Sequence, residues 1–179
     1  MDIVLWALGC LAGLVVLLYC VGFALPSRYR GEASFDLPHG PTEVWEAIAD
    51  FRANPMGGSM TREVDEHRPG DRRPGQPSWT ENLGSTRVRV TTAESDPPLR
   101  LVREMEDLVV PMTARWEFTL EGADGATTRL GIVSDITIGL GTWHAPLFRV
   151  ILKLSRGAEK GVRHYGQRLQ AHLAQAPVA

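Results

Sequence analysis

The sequence predicts an α+β fold: a curved antiparallel sheet wrapped around a long C-terminal helix, preceded by one transmembrane helix. Three observations predict it. Residues 3–25 carry no charge and no proline. The middle of the chain alternates apolar and polar residues with period two between turn signals. From Pro146 to Leu173 apolar residues recur at helical spacing. The chain divides accordingly into an anchor (1–27), one domain (28–174) and a tail (175–179) expected to be disordered.

The apolar run from Ile3 to Leu25 ends at Pro26 and Ser27. At ~1.5 Å per residue it spans roughly 35 Å as a helix, enough for a hydrocarbon core of about 30 Å. A helix also satisfies its own backbone in lipid. A cleaved signal peptide competes with this reading, and Gly22-Phe23-Ala24 could serve as its cleavage site. That alternative wants a basic start and a shorter apolar stretch, whereas this chain begins Met1-Asp2. Arg28 and Arg30 follow the span, which predicts a domain on the cytoplasmic side. Both cysteines, Cys10 and Cys20, lie in the span, so the domain can form no disulfide. Gly9 and Gly13 form a G-x-x-x-G pair suited to a weak dimer of spans.

The domain opens with a short strand, Gly31 to Leu37. Pro41 to Phe51 then places Val44, Trp45, Ile48 and Phe51 at helical spacing, with Pro41 or Thr42 opening the helix. Asn54 to Gly58 breaks it. Short strands follow from Ser59 to Asp135. An exposed loop is expected from Arg68 to Gly75, and strands from Arg87 to Thr92 and from Leu99 to Glu106. Thr113 to Leu120 puts Ala114, Trp116, Phe118 and Leu120 on one face. A tight connection at Gly122 to Gly125 leads into a strand to Ile138, with Leu130, Ile132, Ile136 and Ile138 on one face. One continuous helix closes the chain, its stripe running Leu147, Ile151, Leu154, Ala158, Val162, Tyr165, Leu169 and Leu173.

This order, with the Pro41-Thr42-Glu43-Val44-Trp45-Glu46-Ala47-Ile48-Ala49-Asp50-Phe51 helix and the Arg115-Trp116-Glu117-Phe118 strand, resembles the SRPBCC superfamily. That is the START-like, polyketide cyclase/dehydrase and lipid-transport group with the helix-grip fold. The resemblance covers about Tyr29 to Leu173. It implies a deep cavity for a hydrophobic ligand such as a lipid, sterol, isoprenoid or polyketide. The N-terminal anchor departs from many members. Fold-level resemblance warrants a ligand class and no reaction.

The chemistry of the residues agrees with binding more than with catalysis. The chain carries no G-x-S-x-G elbow, P-loop or H-E-x-x-H, and its five histidines are scattered. No metal and no cofactor is expected. A net charge of −2 supplies no general field for nucleic acid. The candidate ligand-binding set is Trp45, Trp79, Arg103, Met105, Trp116, Phe118, Ile136, Trp143, His144 and Ile151. Arg103 shares the face of Leu101 and Met105. It either points inward toward a ligand head group, lies at an exposed edge, or pairs with an acid such as Asp135. His144 lies before the last helix, where the family's cavity mouth falls. Ser134 reads as a buried serine bonded to backbone. For each tryptophan, core filling competes with pocket lining.

Three functions remain open: membrane-tethered binding or transport of a hydrophobic small molecule, a cyclase/aromatase-type enzyme, and a protein-interaction module with a vestigial cavity. Arg149, Lys153, Arg156, Lys160 and Arg163 fall in one arc of the expected helix, opposite its apolar stripe. That arc predicts a basic face toward an anionic lipid surface.

Overall fold

The computed structural model describes residues 2–67, 77–122 and 126–175. The loop expected at Arg68 to Gly75, the centre of the Gly122 to Gly125 connection and all but the start of the C-terminal tail lie outside them. Helix α1 (Asp2–Ala24) is followed by strand β1 (Arg28–Leu37) and helix α2 (Pro41–Ala49). A single 3-10 turn at Gly58–Met60 leads into six strands: β2 (Glu63–Glu66), β3 (Ser78–Asn82), β4 (Arg87–Asp96), β5 (Arg100–Asp107), β6 (Met112–Gly122) and β7 (Thr128–Ile138). Helices α3 (Ala145–Ser155) and α4 (Gly157–Leu173) close the fold.

The strands form one antiparallel sheet in the order β1-β7-β6-β5-β4-β3-β2. β2 through β7 form a meander, and β1 adds to β7 at the edge. Along β6, Trp116, Phe118 and Leu120 point to the concave face and are buried, and so are Leu130, Ile132 and Ile138 of β7. The period-two pattern therefore reads the inner face of both strands correctly.

α4 lies across the β1 and β7 side of that face. Two glycines let it approach. A Cβ on Gly31 would meet the carbonyl of Ala158 at 2.4 Å, and one on Gly166 would meet the Phe35 ring at 2.1 Å. Ala158, Val162, Tyr165, Leu169 and Leu173 of the expected stripe are all buried against the sheet.

The continuous C-terminal helix is not what forms. It breaks at Arg156, which adopts a left-handed conformation (φ 52°, ψ 43°) and ends α3 while opening α4. The two halves bury different faces. The first half of the stripe turns outward, with Ile151 and Leu154 exposed. Arg149, placed by helical spacing on the solvent arc, is instead 6% exposed. Its Nε and Nη2 donate to the Ile138 carbonyl at 3.2 and 2.7 Å, and its Nη1 donates to the Leu25 carbonyl at 3.3 Å. The single basic arc does not exist. Arg149 is spent inside, and Arg156 pairs with Glu159 at 2.5 Å.

α3 packs beside the end of α1 rather than on the sheet. A Cβ on Gly22 would meet the Pro146 carbonyl oxygen at 2.2 Å, so glycine is required at this crossing. Elsewhere α1 exposes apolar side chains on all sides, and its length and hydropathy (mean 2.5 over Ile3–Ala24) suit a membrane span.

Candidate functional site: the concave face of the sheet

The antiparallel register sets two neighbouring cross-strand rows on the concave face. One runs Thr92, Arg103, Trp116, Ser134, Gly31 across β4, β5, β6, β7 and β1. The next runs Trp79, Val90, Met105, Ala114, Ile136, Tyr29 from β3 to β1.

The first row is buried and carries charge. Arg103 is 1% exposed. It does not lie at an open edge and does not pair with Asp135, which is exposed near Arg30. Its Nη2 instead donates to the carbonyls of Ile48 and Ala49 at 2.8 and 3.3 Å. Those carbonyls end α2, where helix geometry leaves acceptors unpaired and partial negative charge gathers. The guanidinium also lies over the Trp79 ring, 5.0 Å from its centroid, and Trp79 stacks on Phe51 at 4.3 Å. Burial lowers the Arg103 pKa from the ordinary arginine range, opposed by Tyr165 and Glu81.

Glu81 sits below this cluster, fully buried. Its carboxylate accepts from the backbone N–H of Met56 (2.8 Å) and of Gly57 (2.6 Å), the Thr61 hydroxyl (3.0 Å) and Trp79 Nε1 (3.0 Å). Four donors hold one carboxylate and pin the turn after α2 to β3. A buried charge is tolerated only with such full pairing.

Tyr165 of α4 covers the row from above. Its ring packs on Phe118 (5.2 Å between centroids) and Trp116 (5.9 Å), and the Arg168 guanidinium lies over its other side at 5.3 Å. Burial raises the hydroxyl's pKa, opposed by Arg103 and then Arg168, so the phenol is protonated near neutral pH and free to donate. The hydroxyl lies beside Arg103 without completing a hydrogen bond. Among the described residues, Arg103 Nε, Ser134 Oγ, Tyr165 Oη and Arg168 Nε complete no hydrogen bond within the protein, although Arg103 and Tyr165 lie close enough to interact. The expectation of a backbone-bonded Ser134 is therefore not met. Buried polar atoms ordinarily have partners, so four such atoms on one row and the helix above it mark a polar anchor point.

The second row is looser. Met105, Ala114 and Ile136 are half-buried, because α3 has swung away to α1 and α4 begins only at Gly157. A Cβ on Gly161 would lie 3.9 Å from the Trp116 ring, in ordinary contact. The rim of the concave face is thus apolar, and the polar anchor lies one row behind it.

Of the expected ligand-binding residues, Trp79, Arg103, Met105, Trp116, Phe118 and Ile136 meet on this face. Trp45 is half-buried against the core of α2. Trp143 and Ile151 do not join them. They are exposed on the far side of the helix break, at 74% and 61%. His144 is half-buried between the Trp143 and Phe148 rings, with Nε2 3.3 Å from the Thr142 hydroxyl. Sequence reasoning missed Glu81 and Tyr165. Tyr165 was legible only as one apolar member of the stripe. Nothing in Ser78-Trp79-Thr80-Glu81-Asn82 marks its acid as buried. No His, Cys, Asp or Glu cluster suited to a metal occurs among the described residues. A groove of about 660 Å³ runs between the charged side chains of Arg28, Arg30, Arg89, Glu104 and Arg115, and Met105 and Ala114 also line it.

No family model matches the sequence. No curated protein matches it significantly. Solved structures do match the fold. A START superfamily protein from Mycobacterium smegmatis superposes with a TM-score of 0.55 at 14% identity, over 82% of this chain and 98% of that one. The Zhui aromatase/cyclase from Streptomyces gives 0.54 at 14% identity, over 81% and 98%. A protein from Arthrobacter aurescens gives 0.57 at 13% identity, over 83% and 87%. At these identities the likeness establishes the fold alone: the chain has the α+β helix-grip fold seen in the START superfamily and aromatase/cyclase structures it superposes on.

Proposed function

We propose that this chain is a membrane-tethered binder or carrier of a hydrophobic small molecule with one polar end. The observation that carries the reading is the pairing of two rows. A half-buried apolar rim, Met105, Ala114 and Ile136, fronts a row whose Arg103 Nε and Ser134 Oγ, with Tyr165 Oη above, complete no hydrogen bond within the protein. A hydroxyl, carbonyl or carboxylate on an otherwise apolar ligand matches these groups, since the guanidinium donates and the two hydroxyls donate or accept. Lipid, isoprenoid and polyketide-like molecules fall in this class. The fold's occurrence in START and aromatase/cyclase proteins supports it. An apolar N-terminal helix of spanning length supports the tether. Arg28 and Arg30 at its end favour a cytoplasmic domain.

Catalysis would need a group that exchanges protons at neutral pH. Arg103 and a protonated Tyr165 act as donors and binders, so binding accounts for these groups without turnover.

The test is native mass spectrometry of the full chain released from its own membranes, beside Ala114→Trp, which blocks the rim. A bound apolar molecule on the native chain, lost in the variant, is expected. Empty native protein that also takes up no added fatty acid or isoprenoid alcohol contradicts the proposal.

A further inference from the structure

α3 is built inside out for a helix in water. Its charged Arg149 is buried, and Phe148, Ile151 and Leu154 are exposed at 42%, 61% and 77%. At about 100° per residue these three, with half-buried Leu147, share one face. The face is not isolated. The loop before α3 exposes Leu140 and Trp143, and the β5–β6 loop exposes Leu108 and Val109. These two loops are tied together, because Gly139 N–H donates to the Pro111 carbonyl at 2.7 Å. Outside α1, among the described residues, only Met60 and Leu99 of the exposed large apolar side chains belong to other segments.

We propose that this surface is seated in the interfacial layer of the membrane that α1 spans, with α3 lying in the plane of the bilayer. The proposal rests on the reading of α1 as an anchor. Continuity identifies the occupant. Pro146 of α3 sits on Gly22 in the last turn of α1, and Arg149 binds the Leu25 carbonyl at the end of that helix. The medium that covers α1 therefore reaches α3. Amphipathic helices of this kind sink their apolar face about 5–10 Å into the headgroup boundary. Trp143 suits that depth, where indole rings gather. Charge agrees as well. A cleft of about 410 Å³ between the α1–β1 linker and the helix break is lined by Arg28, Arg30, Lys153 and Arg156, with Glu159 the one acid, at the level where lipid phosphates would stand.

The arrangement gives the proposed ligand a route. The half-buried row Met105, Ala114, Ile136 continues to Tyr29, whose hydroxyl donates to the Arg149 carbonyl of α3 at 3.2 Å. The rim of the concave face therefore adjoins the helix that lies in the bilayer. An apolar ligand passes between lipid and protein without crossing bulk water.

The test uses the full chain in vesicles of mixed neutral and anionic lipid, with Cys10→Ala and Cys20→Ala and one nitroxide-labelled cysteine at a time. Accessibility to oxygen, which concentrates in lipid, is compared with accessibility to a water-soluble nickel chelate. Labels at Leu14→Cys, Ile151→Cys and Leu154→Cys are expected to favour oxygen, and a label at Lys160→Cys to favour nickel. Nickel access at Ile151 and Leu154 equal to that at Lys160, with Leu14 in lipid, overturns the proposal and leaves the anchor standing. Nickel access at Leu14 removes the anchor, and the proposal with it. Labels at Ile151 and Leu154 shielded from both reagents indicate a second copy of the chain and also overturn it.

Discussion

α3 and α4 come from one uninterrupted helical pattern, yet they solve opposite problems. α4 buries Val162, Tyr165, Leu169 and Leu173 on the sheet and gives its charges to water. α3 buries Arg149 and gives Phe148, Ile151 and Leu154 to its surroundings. An apolar stripe reports a periodicity, not a destination. Which side of the helix is inside depends on what surrounds it, and on the proposed reading α3 has an apolar exterior.

The sharpest way to break this comparison is to truncate the same residue type on each helix. Leu169→Ala empties a fully packed site and is expected to cost about 2–5 kcal/mol in denaturant unfolding of the detergent-solubilised chain. Leu154→Ala is expected to stay within about 0.5 kcal/mol. Equal losses would mean that α3 is packed on protein like α4.

The two buried arginines extend the contrast. Arg103→Met leaves the Ile48 and Ala49 carbonyls at the end of α2 without their donor, and a loss of about 2–4 kcal/mol is expected. Arg149→Leu uncaps Ile138 and Leu25 at the domain's edge, with an expected loss of about 1–3 kcal/mol. Hydrogen exchange distinguishes them. Arg149→Leu should speed exchange in α3 and leave α4 unchanged, whereas Arg103→Met should speed exchange in α2.

The smallest effect concerns the hinge. Arg156 holds a left-handed conformation that costs a non-glycine residue about 1 kcal/mol. Arg156→Gly is expected to leave stability unchanged or raise it by up to about 1 kcal/mol, read from the unfolding midpoint. A marked loss would show that the Arg156–Glu159 pair, not the backbone, sets the break.

Much of this was legible in the sequence. Alternation gave the inner faces of β6 and β7 through Trp116, Phe118, Leu130 and Ile132, because a strand with one buried face has a fixed period. Arg103 could be placed on the inner face by the same rule. Its partners could not, since two backbone carbonyls of a distant helix leave no mark on sequence. Glu81 was illegible for a related reason: β3 is covered on both faces around Trp79, Thr80 and Glu81, so alternation fails there. The break at Arg156 had a signal in the following Gly157, but glycine inside a helical pattern is often tolerated. The inversion of α3 had none, because Arg149 and Ile151 satisfy helical spacing whichever way the helix faces.

If α3 faces lipid while α4 faces water, thiol labelling in intact membranes separates the two helices. On a Cys10→Ala, Cys20→Ala background, Ile151→Cys and Lys160→Cys are exposed to a water-soluble maleimide. A thiol in apolar surroundings stays protonated and away from the reagent, so Ile151→Cys is expected to react on the order of tenfold more slowly than Lys160→Cys. Equal rates at the two positions would contradict the account.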